Sequence, residues 1–335
     1  MHRARCLAAL FVLMLTGALM MAGAGKLAAE PLRLVLDGAY APHHVPILTA
    51  LEAGHFRRAG IEAVIEPGLG PNMVAVLVGQ RAFDLGHLTA SAAAIAVSRG
   101  TPIRMVAIYH PRTGLAIVGI KGRVLLDSAK SVENLRLGIT PGTADSMAFT
   151  LFRRAQSIGP SAVTVIPVGR GAKLEELLAG RLDLVLGDAA VLSAGVVAQG
   201  ETPEVLNLAD FGVSLQGFGF VVNQALLGSD SGLVRRALVA IRAGFADAAA
   251  DPLAACRAAR ARYALVESDE ACAAALVIFL GHVTPAAAPG WGRQSGETWQ
   301  RMIEAMRAAG EIHGTRPPSF YFTNSVAPSG LFNAD

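Results

Sequence analysis

The stretch Leu77–Ser98, LVGQRAFDLGHLTASAAAIAVS, constrains this chain more than any other. An apolar helical run stops at Gly79, a polar turn follows, and Phe83-Asp84-Leu85-Gly86 reads as a short buried strand. Thr89, Ala90 and Ser91 then offer cap residues for an alanine-rich helix. A strand that turns straight into a capped helix leaves unpaired backbone N–H groups and the positive end of a dipole at one spot, which suits an anion or a polar ligand atom. The same grammar returns at Leu177–Gly195, LLAGRLDLVLGDAAVLSAG, with Asp183 opening the strand and Asp188 preceding the second small-residue helix. Two such units suggest two α/β lobes facing a cleft. One long doubly wound sheet would also carry this pattern, so the two stretches alone leave both open.

A chain of 335 residues can form one large or two medium α/β domains. Charged residues are 16% of the chain and the formal net charge is +3, with no basic run, stacking motif or zinc-finger spacing, so nucleic acid is excluded as a partner. The N-terminus reads as a targeting segment. His2, Arg3 and Arg5 precede an apolar or small-residue run, Leu7–Met21, whose 15 residues fall short of the ~20 a bilayer requires. Small residues at Ala22-Gly23-Ala24 and Leu27-Ala28-Ala29 offer cleavage points, which sets residues 1–29 apart as a signal peptide and the mature chain as exported. Only Cys256 and Cys272 then remain of three cysteines, one on each of two expected helices, Pro252–Tyr263 and Asp269–Gly281. A helical hairpin could bridge them in an oxidising compartment, and two buried thiols fit the sequence equally well.

Along the mature chain, Leu32–Asp37, Ile61–Glu66, Ile103–Tyr109 and Leu115–Ile120 read as strands, with helices at Ile47–Ala53 and, capped by Asn72, at Met73–Leu77. Ser131 is read as the cap of a short helix, followed by a strand at Arg136–Ile139 and a helix at Ala144–Gln156. The βαβα order predicts parallel pairing with right-handed crossovers. His110–Gly114 breaks one apolar strand run, and Phe211–Val222 suits a return crossing. Lobe one is therefore expected at 30–113 and 217–335, and lobe two at 114–216. Two crossing strands form the hinge, with pivots near His110–Gly114 and Ser214–Gly219.

In this order the residues resemble the periplasmic substrate-binding proteins of ABC importers, in the branch handling alkanesulfonates, taurine, nitrate and thiamine-pyrimidine precursors. The resemblance rests on His44-Val45-Pro46-Ile47-Leu48, Ala53-Gly54-His55-Phe56 and Ala59-Gly60-Ile61. Phe83-Asp84-Leu85-Gly86, Gly100-Thr101-Pro102-Ile103, Ser131–Leu135, Leu178–Asp183 and Tyr321-Phe322-Thr323-Asn324 extend it across nearly the whole mature chain. It implies a type II fold of two lobes, each a mostly parallel sheet flanked by helices. The function it implies is capture of a small organic solute, a sulfonate-like anion or a small heterocycle, by a monomer that delivers it to permease subunits with a cytoplasmic ATPase. An enzyme on the same scaffold, like the pyrimidine-precursor synthases, and a solute sensor for a receptor are the alternatives. Those synthases carry a cysteine-rich motif that two mature cysteines cannot supply. Gly38 and Ala41 replace the Trp and Asn common in the first loop of pyrimidine binders, and Gly187-Asp188-Ala189 lacks the aromatic often found there.

Ligand contacts are expected from the loops at the carboxyl ends of strands. These are Tyr40, His43 and His44 after the first strand; Thr89, Ala90 and Ser91; Thr140, Gly142 and Thr143 in the matching loop; and Asp188 as acceptor. Tyr109, Gln216 and Phe218 on the crossings complete the set, with Tyr40, Tyr109 and Phe218 supplying apolar surface. Arg112 and Arg170 are weaker candidates for an anion, and Asp84 and Asp183 read as structural. The sequence holds no Gly-x-Ser-x-Gly elbow, HExxH, P-loop or dinucleotide fingerprint, so neither cofactor, metal nor catalysis is expected. Protein recovered from the periplasm should have an intact mass that starts just after Ala24 or Ala29; a mass retaining Met1–Met21 would refute both cleavage and export.

Overall fold

The computed structural model describes residues 29–141 and 143–328, so the targeting segment and Gly142 lie outside the described residues. The described residues form ten strands, most of them separated by helices: β1 (Glu30–Val35), β2 (Ile61–Glu66), β3 (Leu85–Thr89), β4 (Ile103–Ile108), β5 (Leu115–Ile120), β6 (Arg136–Ile139), β7 (Thr164–Pro167), β8 (Leu184–Asp188), β9 (Pro203–Asn207) and β10 (Phe218–Asn223). They form two five-stranded sheets, ordered β2-β1-β3-β10-β4 and β7-β6-β8-β5-β9. The fold is α/β and two-lobed, and the second sheet consists entirely of strands from 115–207, between two parts of the first.

Each sheet is more mixed than expected. β1 pairs in parallel with β2 and β3, and β6 with β7 and β8. β10 runs antiparallel to both β3 and β4, and β5 antiparallel to both β8 and β9. The reason is topological. A strand arriving from the other lobe enters at the cleft edge, where the parallel strands leave, so it must run the opposite way.

The two units legible in the sequence are built alike. Asp84 accepts from the Arg33 N–H at 2.8 Å, and Asp183 accepts from the Arg136 N–H at 2.8 Å and from its Nε at 2.9 Å. Each aspartate thereby locks the start of its strand to the neighbouring parallel strand, which is the structural role expected of them. Thr89 and Asp188 cap the following helices, Ala90–Ser98 and Ala189–Ala198. Two local expectations shift. The helix after β2 begins at Pro71 with Gly70 as its cap, at φ 106°, in place of Asn72, because proline pre-sets the first helical φ. Ser128, three residues before the expected Ser131, caps the 3-10 turn Ala129–Val132, and Ser131 bonds back to the Ser128 N–H.

Lobe one packs Leu32 and Leu34 against Ile47, Leu48, Ile241 and Phe245, while Leu137, Leu184, Phe149 and Phe152 fill lobe two. Two C-terminal helices touch both lobes. Gly296–Ala308 sends Met302 and Met306 into a core shared with Val97 and Met147, and Asp269–Gly281 packs Leu276 and Phe279 in a cluster that includes Ala190. Among the described residues no helix is long and apolar enough to cross a membrane. Cys256 and Cys272, both fully buried, form a disulfide between the helices Pro252–Arg260 and Asp269–Gly281. With a sequence separation of 16 between the two half-cystines, its removal by Cys256→Ala with Cys272→Ala should cost about 3 kcal/mol in a urea titration. Stability equal to the parent would show that the bridge does not form in solution.

Candidate functional site

The carboxyl ends of β1, β3, β4, β6 and β8 and the cleft-side ends of β5 and β10 converge on one groove of about 590 Å³ between the lobes. Its lining includes Asp37 and His43 after β1, Thr89, Ser91 and Arg99 from the first capped helix, and Asn72. Thr143, Asp145, Lys173 and Asp188 come from lobe two, and His110, Thr113, Gly114, Gln216, Gly217 and Phe218 from the crossings. The volume lies within the range of small-molecule sites.

The crossings form a small ladder of their own. His110 N–H donates to Phe218 O at 3.3 Å, Gly217 N–H to His110 O at 2.9 Å and Thr113 N–H to Leu215 O at 2.8 Å. Both capped helices hang from it, for Ala90 N–H donates to Gly217 O and Ala189 N–H to Gly114 O, each at 2.9 Å. The helix starts recognised in the sequence are therefore fixed to the segments that join the lobes.

The lobe-one wall rests on Asp37. Its Oδ1 lies 2.7 Å from His44 Nε2, 2.8 Å from His87 Nδ1 and 3.4 Å from His43 Nε2, and His87 Nε2 lies 2.5 Å from the Tyr109 hydroxyl. Burial would raise the Asp37 carboxyl, but hydrogen bonds from His43 and His44 and the latter's charge hold it well below its ordinary value. Burial takes His44 down to about 3, helped by the charge of His43, and lowers His87 too. For His43, burial is outweighed by the bond and charge of Asp37, and its pKa is raised. Rings stack outward from this centre: His43 on Phe218 with centroids 5.0 Å apart, and Phe218 on His87 at 4.9 Å.

Asp37, His44 and His87 also bring three ligand-type atoms within 4.8 Å of one another. Their hydrogen bonding fits a proton network better than a metal. His44 Nδ1 accepts the Ala41 N–H at 3.2 Å, so the ring proton sits on Nε2, the atom that would have to meet the ion.

The lobe-two wall carries Lys173, 4% exposed, which donates to Asp145 and, at 2.5 Å, to Leu186 O. Asp188 Oδ1 accepts from the Ala190 and Val191 N–H groups at 3.0 and 3.1 Å, and burial raises its pKa against the pull of His43 and those bonds. The groove's carboxylates, Asp37, Asp145, Asp188 and Glu311, outnumber Lys173 and Arg99. The electrostatics therefore disfavour a bare anion, and the helix starts offer less than expected. Thr89 accepts the Ala92 N–H, and Thr143 accepts the Asp145 N–H while donating to Thr140 O.

Of the residues singled out in the sequence, His43, Thr89, Ser91, Thr143, Asp188, Gln216 and Phe218 line the groove. Four lie elsewhere. Tyr40 turns to Tyr263, with centroids 5.0 Å apart, and donates to Ile65 O; His44 and Tyr109 are fully buried behind the wall; Ala90 is packed into the core. Tyr40 and His44 stand apart because the loop after β1 folds into a 3-10 turn whose one partly exposed member is His43, and Tyr109 and Ala90 because both pack fully into the cores. Thr140 has a buried hydroxyl without a partner among the described residues, and Arg112 pairs with Asp210 at 2.6 Å on the surface. Sequence reasoning missed His87, Asp145 and Lys173 as neighbours of the site and took His110 only as a hinge position. The polar residue inside apolar β3 was the available signal for His87. Nothing local marks Lys173 and Asp145, which meet across 28 positions.

This groove between two lobes on a crossing hinge defines a solute-binding protein fold. The chain matches the NMT1/THI5-like family over residues 41–255, and it belongs to that family. It is 25% identical over 303 residues to the riboflavin-binding protein RibY of Chloroflexus aurantiacus, covering 88% of this chain and 84% of that one. A second relative, the 4-amino-5-hydroxymethyl-2-methylpyrimidine phosphate synthase THI12 of Saccharomyces cerevisiae, is 23% identical over 164 residues, which span 48% of this chain and 47% of the synthase. Among solved structures, the periplasmic aliphatic sulphonate binding protein SsuA of Escherichia coli superposes with a TM-score of 0.70 at 10% identity, covering 91% of this chain and 94% of that one. The alkanesulfonate-binding SsuA of Xanthomonas axonopodis pv. citri, bound to MOPS, gives 0.62 at 14% identity and covers 86% and 96%. At these identities the structures share the fold.

The buried histidines set a pH dependence. His44 and His110 have folded-state values of about 3 against an ordinary 6.5, and His87 is shifted the same way. Their contribution is complete above 6.5 and is lost as the pH falls toward 3, each group by up to ~1.4 kcal/mol per unit. His43, whose pKa is raised, acts oppositely and loses its contribution as the pH rises through its folded value. Three against one, the loss on acidification wins. Urea titrations at pH 7.5 and 5.0 should differ by at least about 2 kcal/mol in favour of pH 7.5, and equal stabilities would show that these rings are not buried neutral.

Proposed function

We propose that the mature chain is the solute-binding component of an ABC importer, working as a monomer in the periplasm. On this reading it captures a small, flat organic molecule, neutral or cationic, and presents it to permease subunits coupled to a cytoplasmic ATPase. The proposed lobes are 30–113 with 217–335, and 114–216. The contacts fall to His43, Thr89, Ser91, Thr143, Asp188, Gln216 and Phe218. The observation that carries the reading is the groove itself, where a stacked His43–Phe218 wall faces the carboxylate of Asp188.

Magnitudes favour a flat body over an ion. Micromolar capture needs about 8 kcal/mol. A helix dipole contributes only ~0.3–1 kcal/mol and a stacked ring pair ~0.5–1.5 kcal/mol. Burying about 250 Å² of a heterocycle at ~25 cal/mol/Å² adds ~6 kcal/mol, a term unavailable to nitrate or sulfate. Relatives named for riboflavin and pyrimidine chemistry agree with a heterocycle. An enzyme is the poorer reading. Cys256 and Cys272 are bridged, and the hydroxyl of Ser91 lies 3.2 Å from that of Thr89, which supplies no base.

Thermal-shift titration with riboflavin, 4-aminopyrimidine, methanesulfonate, nitrate and sulfate tests this, with X-ray scattering on any binder. A heterocycle should raise the unfolding midpoint and reduce the radius of gyration. Stabilisation by nitrate or sulfate alone, or an unchanged radius under saturating ligand, would reject it.

A further inference from the structure

His110 and Gln216 sit on the two hinge crossings and line the groove, yet they are only 2% and 5% exposed. Both ring nitrogens of His110 and the Nε2 of Gln216 lack a hydrogen-bond partner among the described residues. The ring lies in a slot that two glycines keep open. A Cβ at Gly217 would stand 2.5 Å from His110 Nδ1, and one at Gly114 would stand 3.0 Å from His110 Cε1 and 3.2 Å from Asp188 Oδ2. That same Asp188 spends its other oxygen, Oδ1, on its helix cap.

Buried polar atoms without partners are rare because each forfeits its bonds to water, and a core position of this shape would be filled more stably by a phenylalanine. Three unpaired nitrogens beside a ligand groove therefore mark bonds that are completed by something that enters it. Resting on the solute-binding reading, we propose that His110 and Gln216, together with Asp188 Oδ2, are the specificity-determining groups. They read an uncharged edge on which a hydrogen-bond donor adjoins an acceptor, as in cyclic amides, ureides and amino-substituted ring nitrogens.

The chemistry of the three groups fits such an edge. A neutral imidazole presents one donor and one acceptor, an amide nitrogen is a donor, and a carboxylate oxygen accepts only. Burial, aided by the charges of His282, His43 and His87, holds His110 at about 3 and hence neutral. A sulfonate or phosphate offers acceptors alone and would be set against Asp188. The backbone of His110 also bonds to Phe218 and Gly217 across the crossings, so a ligand held here engages the segment that must bend for closure.

The test is calorimetry on the mature protein with paired probes: riboflavin against 3-methylriboflavin, and 4-aminopyrimidine against 4-methylpyrimidine. Wild type should prefer the first member of each pair that binds. His110→Phe should weaken that member about tenfold and its twin less, and Gln216→Leu, which removes a donor facing the acceptor that both members keep, should weaken each member that binds about tenfold. The ligand-free variants should unfold at or above the wild-type midpoint, an outcome a merely structural role would not give. Should His110→Phe fail to fold, Gln216→Leu still tests the assignment through its loss of affinity for the probes that bind. Variants that bind the probes as tightly as wild type, or a wild type that prefers the methylated twins, would overturn the assignment of these residues while leaving the solute-binding reading in place. A wild type that binds none of the four probes overturns the solute class and this inference with it, and that failure shows before any variant is made.

Discussion

Three backbone hydrogen bonds between the crossings, from His110, Thr113 and Gly217, hold the two lobes in register, and the rest of the site depends on them. The helices Ala90–Ser98 and Ala189–Ala198 each give their first N–H to a carbonyl on this ladder, at Gly217 and Gly114. The strands that enter from the opposite lobe, β5 and β10, begin beside it and must run antiparallel to the strands they join. A change at the ladder is therefore transmitted directly to both helix starts and to both walls of the groove. Closure by hinge bending needs a short, shared pivot of this kind.

The walls divide the electrostatic work unequally. Lobe one gathers Asp37 and three histidines into a buried cluster that faces the groove through His43, whose ring lies on Phe218. Lobe two has a buried lysine, but its charge is committed to Asp145 and the Leu186 carbonyl. Removing one partner of a buried pair is far costlier than the pair is worth, so Lys173 is poorly placed to leave Asp145 for an incoming anion. The fold is shared with sulfonate-binding proteins, yet this groove lacks a free cation among its described lining residues other than Arg99. Fold and ligand chemistry are separable in this way because lining side chains change without disturbing the strands that carry them.

Much of the architecture was legible because it repeats. The Asp84 and Asp183 units carry the same turn, strand, cap and small-residue helix, and each aspartate clamps an arginine backbone in the adjacent strand. Periodicity located most strands to within a residue or two, but it did not mark β9, whose residues Pro203–Asn207 show no alternation. What eluded the sequence was pairing over long separations. No local pattern says that β10 will insert between β3 and β4, that Lys173 will reach Asp145, or that His87 will meet Asp37 across 50 positions. Tyr40 reads as a groove aromatic because it follows the first strand, but a 3-10 turn at Pro42–His44 rotates the loop and hands that place to His43.

His110 shows why a site residue can escape a sequence reading that finds its neighbourhood. As a histidine before a proline, between two apolar strands, it reads as punctuation, and the break itself is real. Only the structure reveals that its ring lies between Gly114 and Gly217, glycines that belong to different crossings and are separated by the whole of lobe two. The residue is defined by the meeting of those crossings and has no meaning along the chain. Gln216, by contrast, was legible as a residue of the crossing, and its neighbour Gly217 both bonds to His110 and receives the Ala90 N–H. Unsatisfied polar atoms at a junction that otherwise satisfies its backbone groups set this spot apart from the core around it, where Leu, Val and Phe are packed without such cost.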